Sequence, residues 1–374
     1  MKSAWIVAAR RTPVAPRGGA LARAAIHDLA MAPALACLSD AQVNPDKVDE
    51  LILSNAIGAG GNPARVTALA CGLPQRVGGI SIDRQCCGGL DAIALGALMV
   101  EAGRASVVLA GGAESYSRRP LRYATDPDGG PPRLYEQAPF TPWRERDPDM
   151  HTAADALGKQ LGINRAAQDA WAIKSHAAAL VANQCGAMDA ETSQLPGIAL
   201  AHDAFTRSLT KRLAARAHPL VGDITPANTA VAADGAALCL IVSEDIARVA
   251  TDRRVRIGAH AALGGDPELP GLAPIAAIEQ VLTQERLSPA DLSVAEIMEA
   301  YAVQAIACVE GAALDPAIVN PGGGALARGH PVGASGAILA VRLYHSLLVQ
   351  GGVGMAAIAA AGGLGSALTL FRDR

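Results

Sequence analysis

The chain has 374 residues, of which 51% are hydrophobic and only 3% aromatic, and its formal net charge is −3. Such a composition fits a densely packed α/β protein with a core of Ala, Val, Ile and Leu, and it excludes a disordered or disulfide-stapled chain. The small negative charge also excludes a global basic field that would attract nucleic acid or anionic lipid.

The cysteine pattern and the two terminal segments predict the cellular compartment of the protein. Seven cysteines are scattered along the chain without a CxxC pair, and no His-rich tract has zinc-ligand spacing. We therefore expect reduced thiols and no structural metal. The apolar run in MKSAWIVAARRTP is too short for a signal peptide or a membrane span, and the terminal LFRDR is not a peroxisomal address. We predict a cytoplasmic protein that binds neither membrane nor nucleic acid.

The first part of the chain alternates short apolar runs with Ala-rich amphipathic stretches. Four runs are predicted as strands and two stretches as helices: strands at 4–9, 50–57, 78–83 and 105–112, helices at 26–41 and 87–103. Strands that alternate with helices of this length indicate an α/β architecture.

The middle of the chain has a different amino-acid composition. From Arg118 to about Asp223 it is richer in Pro, Arg and Asp, and TDPDGGPPRLYEQAPF is typical of a loop. Two helices are predicted behind this loop, at 152–161 and 164–184. We interpret residues 118–223 as an insertion.

The remainder of the chain repeats the order of the first part. Its apolar and amphipathic runs lie at 255–263, 294–311, 317–324, 332–352 and 354–370. We predict two related halves, residues 1–117 with 224–250 and residues 251–374, on either side of the insertion. Equivalent loops of two related halves meet at a shared boundary, where a site can form.

Two adjacent cysteines, Cys86 and Cys87, precede the second predicted helix in SIDRQCCGGLDAI. The free N–H groups of a helix start would stabilise a thiolate at Cys86. In the second half His330 lies in the Gly-rich GGGALARGHPVGASG, before another small-residue helix start. A cysteine and a histidine at matching loops suggest a nucleophile and its base. A buried structural role explains the cysteines about as well, because free cysteine is among the most buried residue types.

The segment DRQCCGGLDAI resembles the NRQCSSGLQAI-type active-site segment of the thiolase family. Further segments match in the family's order, among them VVLAGGAESYS, DITPANTAVAADGAALCLIVSE, EIMEAYA and NPGGGALARGHPVGASGA. The resemblance covers nearly the whole chain. It implies two βαβαβαββ halves in a five-layered αβαβα core, with residues 118–223 as a loop domain that holds coenzyme A.

The resemblance also implies roles for individual residues. Cys86 takes the place of the nucleophile that carries the acyl group, and His330 that of the histidine that activates it. The backbone N–H groups of Cys86 and Ala361 would form an oxyanion site. Lys211, in a basic stretch that also fits a solvated helix face, and Asn228 would contact coenzyme A. Cys87 is expected to pack in the core.

The inserted segment contains four histidines, which we expect to have surface or packing roles because none is paired with a carboxylate at metal spacing: His151, His176, His202 and His218. We expect no tightly bound cofactor, and coenzyme A and acyl-CoA as substrates. The resemblance further implies a homodimer or homotetramer, with room for an accessory subunit.

Asp83 and Ala230 depart mildly from the usual family pattern, and two further departures bear on the chemistry. Met298, in MEAY instead of NEAF, replaces the Asn that ordinarily holds a water in the oxyanion site. Ala359, in AAAGGLG, replaces the second cysteine, which normally moves the proton at the α-carbon. Losing a positioned acid–base group costs roughly 10²–10⁴ in rate, and losing an oxyanion donor roughly 10²–10³. We therefore expect a divergent thiolase that differs in its second half-reaction.

The predicted function is an acyl-CoA C-acyltransferase that cleaves a 3-oxoacyl-CoA with coenzyme A or condenses two acyl-CoA molecules. One alternative is an acyltransferase of the same fold with a different acceptor or a required partner subunit. Another is a non-catalytic acyl-CoA-binding subunit. The presence of both Cys86 and His330 disfavours the last, because an inert relative needs neither.

Overall fold

A computed structural model describes residues 3–58, 60–250 and 252–373. The strands within these ranges are β1 (Ala4–Arg11), β2 (Ala15–Pro16), β3 (Glu50–Ser54), β4 (Ile80–Ile82), β5 (Val107–Ser115), β6 (Arg122–Ala124), β7 (Arg133–Tyr135), β8 (Ala233–Ser243), β9 (Val255–Gly264), β10 (Val294–Ile297), β11 (Gly352–Ala360) and β12 (Leu364–Arg372). The helices are α1 (Ile26–Asp40), α2 (Pro63–Ala70), α3 (Gly88–Glu101), α4 (Met150–Leu161), α5 (Arg165–Gln184), α6 (Lys211–Ala215), α7 (Glu244–Ala250), α8 (Ala273–Glu285), α9 (Ala302–Gly311), α10 (Ala325–Arg328) and α11 (Val332–Gln350).

Two similar sheets form the centre of the molecule. The first half of the chain contributes the strand order β4-β3-β5-β8-β1, and the second half contributes β9-β12-β11-β10. Strands β1 and β9 pair antiparallel over only two residue pairs, Trp5 with Arg256 and Ile6 with Val255. This short contact joins the sheets into one continuous ladder.

The alternation of side chains along each strand divides the core into layers. In β5, Val108 and Ala110 belong to a central apolar cluster, whereas Val107 and Leu109 belong to an outer one. This is the period of two that places successive residues on opposite sheet faces. The central cluster contains α3 and α11, the outer cluster of the first sheet contains α1 and α2, and that of the second sheet contains α8 and α9. The result is five layers, helix–sheet–helix–sheet–helix.

Helix α11 is long and apolar. Its 19 residues and its composition meet the criteria for a membrane span, but 72% of its most apolar window is buried inside the protein. Its position between the two sheets accounts for that composition, because a helix packed on all sides is hydrophobic all round.

The segment between β5 and β8 contains the hairpin β6–β7 and helices α4, α5 and α6. It is tied to both halves by a buried carboxylate. Glu191 accepts a hydrogen bond from Arg11 Nε at 2.7 Å and one from Arg342 Nη1 at 3.1 Å. Burial opposes ionisation, yet Arg342 and Arg11 lower the pKa of Glu191 to about 2. The domain boundaries expected at 117/118 and 223/224 stay a prediction.

Several predicted elements differ from the observed ones at their ends or in their division, and two of them show a physical reason. The strand expected at 50–57 ends at Ser54, because the Asn55 side chain donates to Ala113 O at 3.0 Å and to Glu114 Oε1 at 2.6 Å. The run 294–311 divides into β10 and α9. In the gap between them, Met298 N donates to Ala357 O and so follows β11 for one further residue.

Candidate active site

Cys86 lies in a tight turn between β4 and α3. Gln85, immediately before it, has φ of +51°, in the left-handed region that non-glycine residues rarely adopt. The Gln85 N–H donates to Asp83 Oδ1 at 2.8 Å, which holds this turn. The turn presents Cys86 ahead of the first helical residue, with its side chain partly buried.

His330 lies in the corresponding connection of the second half, between α10 and α11. The backbone N–H of His330 donates to Val231 O at 2.8 Å. Pro331 follows as the residue before α11. The His330 Nε2 atom is 3.1 Å from Cys86 Sγ. The structure thus brings together two residues that are 244 positions apart.

Glycines make this approach possible. A Cβ atom on Gly89 would lie 2.6 Å from Ala337 N and 2.9 Å from Gly333 O, both in α11. A Cβ on Gly336 would lie 2.6 Å from Leu90 N in α3. Real Cβ atoms do not approach backbone this closely, so α3 and α11 meet at their first turns only because these positions lack side chains.

A buried hydroxyl fixes the orientation of the imidazole. Ser335 Oγ lies 2.6 Å from His330 Nδ1 and donates to Pro331 O at 3.2 Å. When the hydroxyl donates its one proton to the Pro331 carbonyl, which can only accept, its oxygen accepts from His330 Nδ1–H. The Nε2 lone pair then faces the Cys86 thiol, in the tautomer that a base needs.

The charge state of this pair is set by burial. Burial raises the pKa of Cys86 to about 12, and the carboxylates of Glu114 and Asp83 add to the effect. Burial also lowers the pKa of His330 to about 4, with Arg328 contributing. The proton therefore rests on sulfur at neutral pH, and the thiolate expected from the helix start alone is not formed in the resting pair. His330 can take the proton as the sulfur attacks.

Glu114 connects the two halves beside the pair. Its fully buried carboxylate accepts from Ala56 N and from Gly333 N, each at 3.0 Å. Burial raises the pKa of Glu114 to about 7 in spite of these hydrogen bonds. Because Gly333 is in the first turn of α11, this carboxylate holds the helix start that follows His330.

The other sequence-predicted residues occupy different settings. Ala361 opens the turn between β11 and β12 and is 8% exposed. Lys211 is exposed at the start of α6. Asn228 is fully buried, and its amide donates to Asp169 Oδ1 and Asp223 O. These contacts favour a structural role for Asn228, so they do not support the expected contact with coenzyme A.

The residues at the departing positions carry no proton-transfer group. Met298 is 1% exposed in the central cluster, and Ala359 lies at the end of β11. Cys87 is also 1% exposed, with Sγ 3.5 Å from Ile358 O, which agrees with the packing role expected for it. Sequence reasoning did not single out Ser335 and Glu114, which lie beside the pair, or Tyr301. Ser335 had a local signal, since it lies five residues after His330 at the helix start, and Tyr301 had one in MEAY, where the resembling family has Phe.

Comparisons with known proteins agree with this architecture. Residues 4–245 match the family described as Thiolase, N-terminal domain, and residues 251–372 match Thiolase, C-terminal domain. Bacillus subtilis YhfS, provisionally named an acetyl-CoA C-acetyltransferase, is 37% identical over 374 residues and 98% of each chain. Staphylococcus aureus VraB (strain MRSA252), with the same provisional name, is 34% identical over the full length of both chains.

Solved structures share the fold. The Bacillus anthracis acetyl-CoA acetyltransferase superimposes with a TM-score of 0.92 at 31% identity, covering 100% of this chain and 99% of that one. Human mitochondrial 3-ketoacyl-CoA thiolase in complex with CoA gives 0.91 at 29% identity, with 100% and 98% covered. The fold is the thiolase fold, and the chain belongs to the thiolase family. It is an acyltransferase enzyme.

Proposed function

We propose that this acyltransferase is an acetyl-CoA C-acyltransferase that works through a covalent acyl-enzyme on Cys86. It cleaves a 3-oxoacyl-CoA with coenzyme A or condenses two acyl-CoA molecules. The observation that carries the proposal is the 3.1 Å contact between Cys86 Sγ and His330 Nε2. The Ser335 contact with His330 Nδ1 supports it, because a nucleophile needs a base whose lone pair already faces it.

In the first half-reaction, Cys86 Sγ attacks the thioester carbonyl carbon while its proton passes to His330 Nε2. The bond from that carbon to the coenzyme A sulfur then breaks, and the leaving thiolate takes the proton back from His330. The backbone N–H groups of Cys86 and Ala361 are the proposed donors to the oxyanion that forms in between. In the second half-reaction an acceptor attacks the Cys86 thioester and releases the sulfur.

The test is intact mass spectrometry after brief mixing with acetyl-CoA and, separately, with acetoacetyl-CoA. Cys86→Ser should abolish the acetyl adduct, and Cys185→Ser, a change at an exposed cysteine, is the matched control that keeps it. Labelling that survives Cys86→Ser contradicts the proposal. An adduct from acetyl-CoA alone would instead identify an acyltransferase with a different acceptor, which Met298 and Ala359 favour.

Coenzyme A binding by the inserted segment, assembly as a homodimer or homotetramer, and a cytoplasmic location belong to the same proposal. The CoA-bound human thiolase of the same fold supports the first of these.

A further inference from the structure

The second half-reaction lacks a recognisable proton-transfer group. Where the thiolase pattern has a second cysteine this chain has Ala359, and where it has Asn this chain has the buried Met298. A methyl group and a thioether neither accept nor donate a proton at neutral pH. If carbon–carbon bond making occurs here, another side chain must move the proton at the α-carbon.

Tyr301 is the titratable side chain that follows this departing segment. It precedes α9 in MEAY, at the position of Phe in the family's NEAF, and is partly buried. Its Oη lies 3.0 Å from His151 Nδ1, and the two rings meet edge to face at 86° with centroids 5.7 Å apart. His151 is at the start of α4 in the inserted segment. The tyrosine and histidine therefore form a hydrogen-bonded pair contributed by two different parts of the chain.

Backbone pairing relates Tyr301 to His330 through a third segment. Thr229 forms a bridge with Tyr301, and Ala232, three residues later, forms a bridge with His330. Three residues span no more than about 11 Å, so Tyr301 and His330 pair with the two ends of one short segment. Ala300, next to Tyr301, packs against the same central cluster as Cys86.

Electrostatics agree with this proximity. Burial raises the pKa of Tyr301, and the charges of Asp149 and Cys86 add to the effect. The phenol therefore keeps its proton at neutral pH and can donate it to His151 Nδ1. The influence of Cys86 on the pKa of Tyr301 also indicates that the two side chains lie near each other.

We propose that Tyr301, with His151 as its proton acceptor, is the acid–base residue of the second half-reaction at Cys86. The inference rests on the proposed function. In the condensing direction the α-carbon of the second acyl-CoA gives its proton to Tyr301 Oη, while the phenol proton moves to His151 Nδ1. The electron pair of the broken C–H bond forms the bond to the acyl carbon, and the bond from that carbon to Cys86 Sγ breaks. The Cys86 thiolate then takes a proton from solvent, and His151 returns its extra proton to solvent.

Tyr301→Phe tests this inference because it removes one hydroxyl group and introduces the residue that the family pattern has at this position. Two rates are measured for each variant with acetyl-CoA: acetylation of Cys86, and exchange of the acetyl-CoA methyl hydrogens for deuterium in D2O. Formation and cleavage of acetoacetyl-CoA are measured in parallel. We expect acetylation within a few-fold of the parent, and a loss of roughly 10²–10⁴ in exchange and in carbon–carbon chemistry. Tyr123→Phe, on the exposed hairpin β6–β7, is the matched control and should change neither rate.

His151→Phe is the second variant. It preserves an aromatic ring against Tyr301 but removes the Nδ1 acceptor, so we expect exchange to fall at least tenfold while acetylation persists. Full exchange in Tyr301→Phe, or equal losses of acetylation and exchange, overturns the inference. A parent enzyme that acetylates Cys86 but neither exchanges hydrogen nor makes or cleaves acetoacetyl-CoA overturns it as well. A parent that does not acetylate Cys86 overturns the proposed function itself.

Discussion

At the scale of single residues, the tautomer of the His330 imidazole depends on the neighbouring Ser335. The hydroxyl of Ser335 gives its proton to Pro331 and so accepts from the imidazole. Without this acceptor, either ring nitrogen could carry the proton, and only one of the two tautomers can receive the thiol proton. The same hydrogen bond stabilises the imidazolium that forms during attack, because a hydrogen bond to a charged group is stronger than one between neutral groups.

Ser335→Ala should therefore slow acylation without unfolding the protein. A hydrogen bond to a charged group contributes about 1.5–3 kcal/mol, so we expect the burst of coenzyme A release on mixing with acetyl-CoA to slow by roughly tenfold to a hundredfold. Ser39→Ala, at an exposed position near the end of α1, is the control. A burst unchanged in Ser335→Ala would show that the tautomer is fixed by something else.

At the scale of secondary-structure elements, the crossing of α3 and α11 positions the nucleophile and its base. Helix α3 begins two residues after Cys86, and helix α11 begins two residues after His330. Any separation of the first turns of these helices therefore lengthens the 3.1 Å contact between Cys86 Sγ and His330 Nε2. The crossing depends on Gly89 and Gly336, whose missing Cβ atoms would otherwise meet backbone.

Gly89→Ala should both destabilise the protein and slow acylation. The added methyl group meets Ala337 N and Gly333 O, and overpacking of this kind costs about 1–3 kcal/mol. Gly96→Ala is a control in the same helix, where the new Cβ would meet only side-chain atoms of Ile241, Val108 and Ala110 at 3.0–3.3 Å. Gly89→Ala should unfold at a lower temperature than Gly96→Ala and should show a slower acylation burst. Equal effects of both would mean that the helix crossing does not hold the pair.

The sequence predicted the elements better than the contacts between distant ones. The helix expected at 87–103 is Gly88–Glu101, because the apolar pattern and the flanking glycines are local signals. Cys86 and His330 could be singled out because each lies in a Gly-rich helix start. The Tyr301–His151 pair could not, because its members are 150 positions apart and neither lies in a Gly-rich helix start. The end of β3 was missed because an Asn55 side-chain contact with the distant β5 terminates it.

At the scale of the whole molecule, burial makes stability depend on pH. His176, in the inserted segment, and His330, at the boundary of the halves, both have the pKa lowered by burial from 6.5 to about 4. As pH falls from about 6.5 to about 4, the unfolded chain binds protons at these histidines and the folded protein does not. The two histidines therefore remove stability across this window as pH falls.

His176→Phe should reduce this slope. The variant keeps an aromatic ring beside Phe205, which His176 contacts at 5.8 Å between centroids, and removes the titrating group. The free energy of unfolding measured by denaturant from pH 7 to pH 4 should fall less steeply than in the parent. His202→Phe, at an exposed position, should follow the parent curve. A parallel loss in His176→Phe and the parent would rule out a contribution from His176.

The buried Glu191 has a consequence for how thiolases can be recombined. One carboxylate of the inserted segment pairs with an arginine from each half, Arg11 and Arg342, and all three side chains are almost completely removed from solvent. A buried charge left without its partner is far more costly than the intact group is beneficial. The insertion is therefore not a detachable module. We expect a chimera that takes residues 118–223 from another thiolase to fold only under one of two conditions. Either the new segment has a carboxylate at the position of Glu191, or Arg11 and Arg342 are replaced together with the segment.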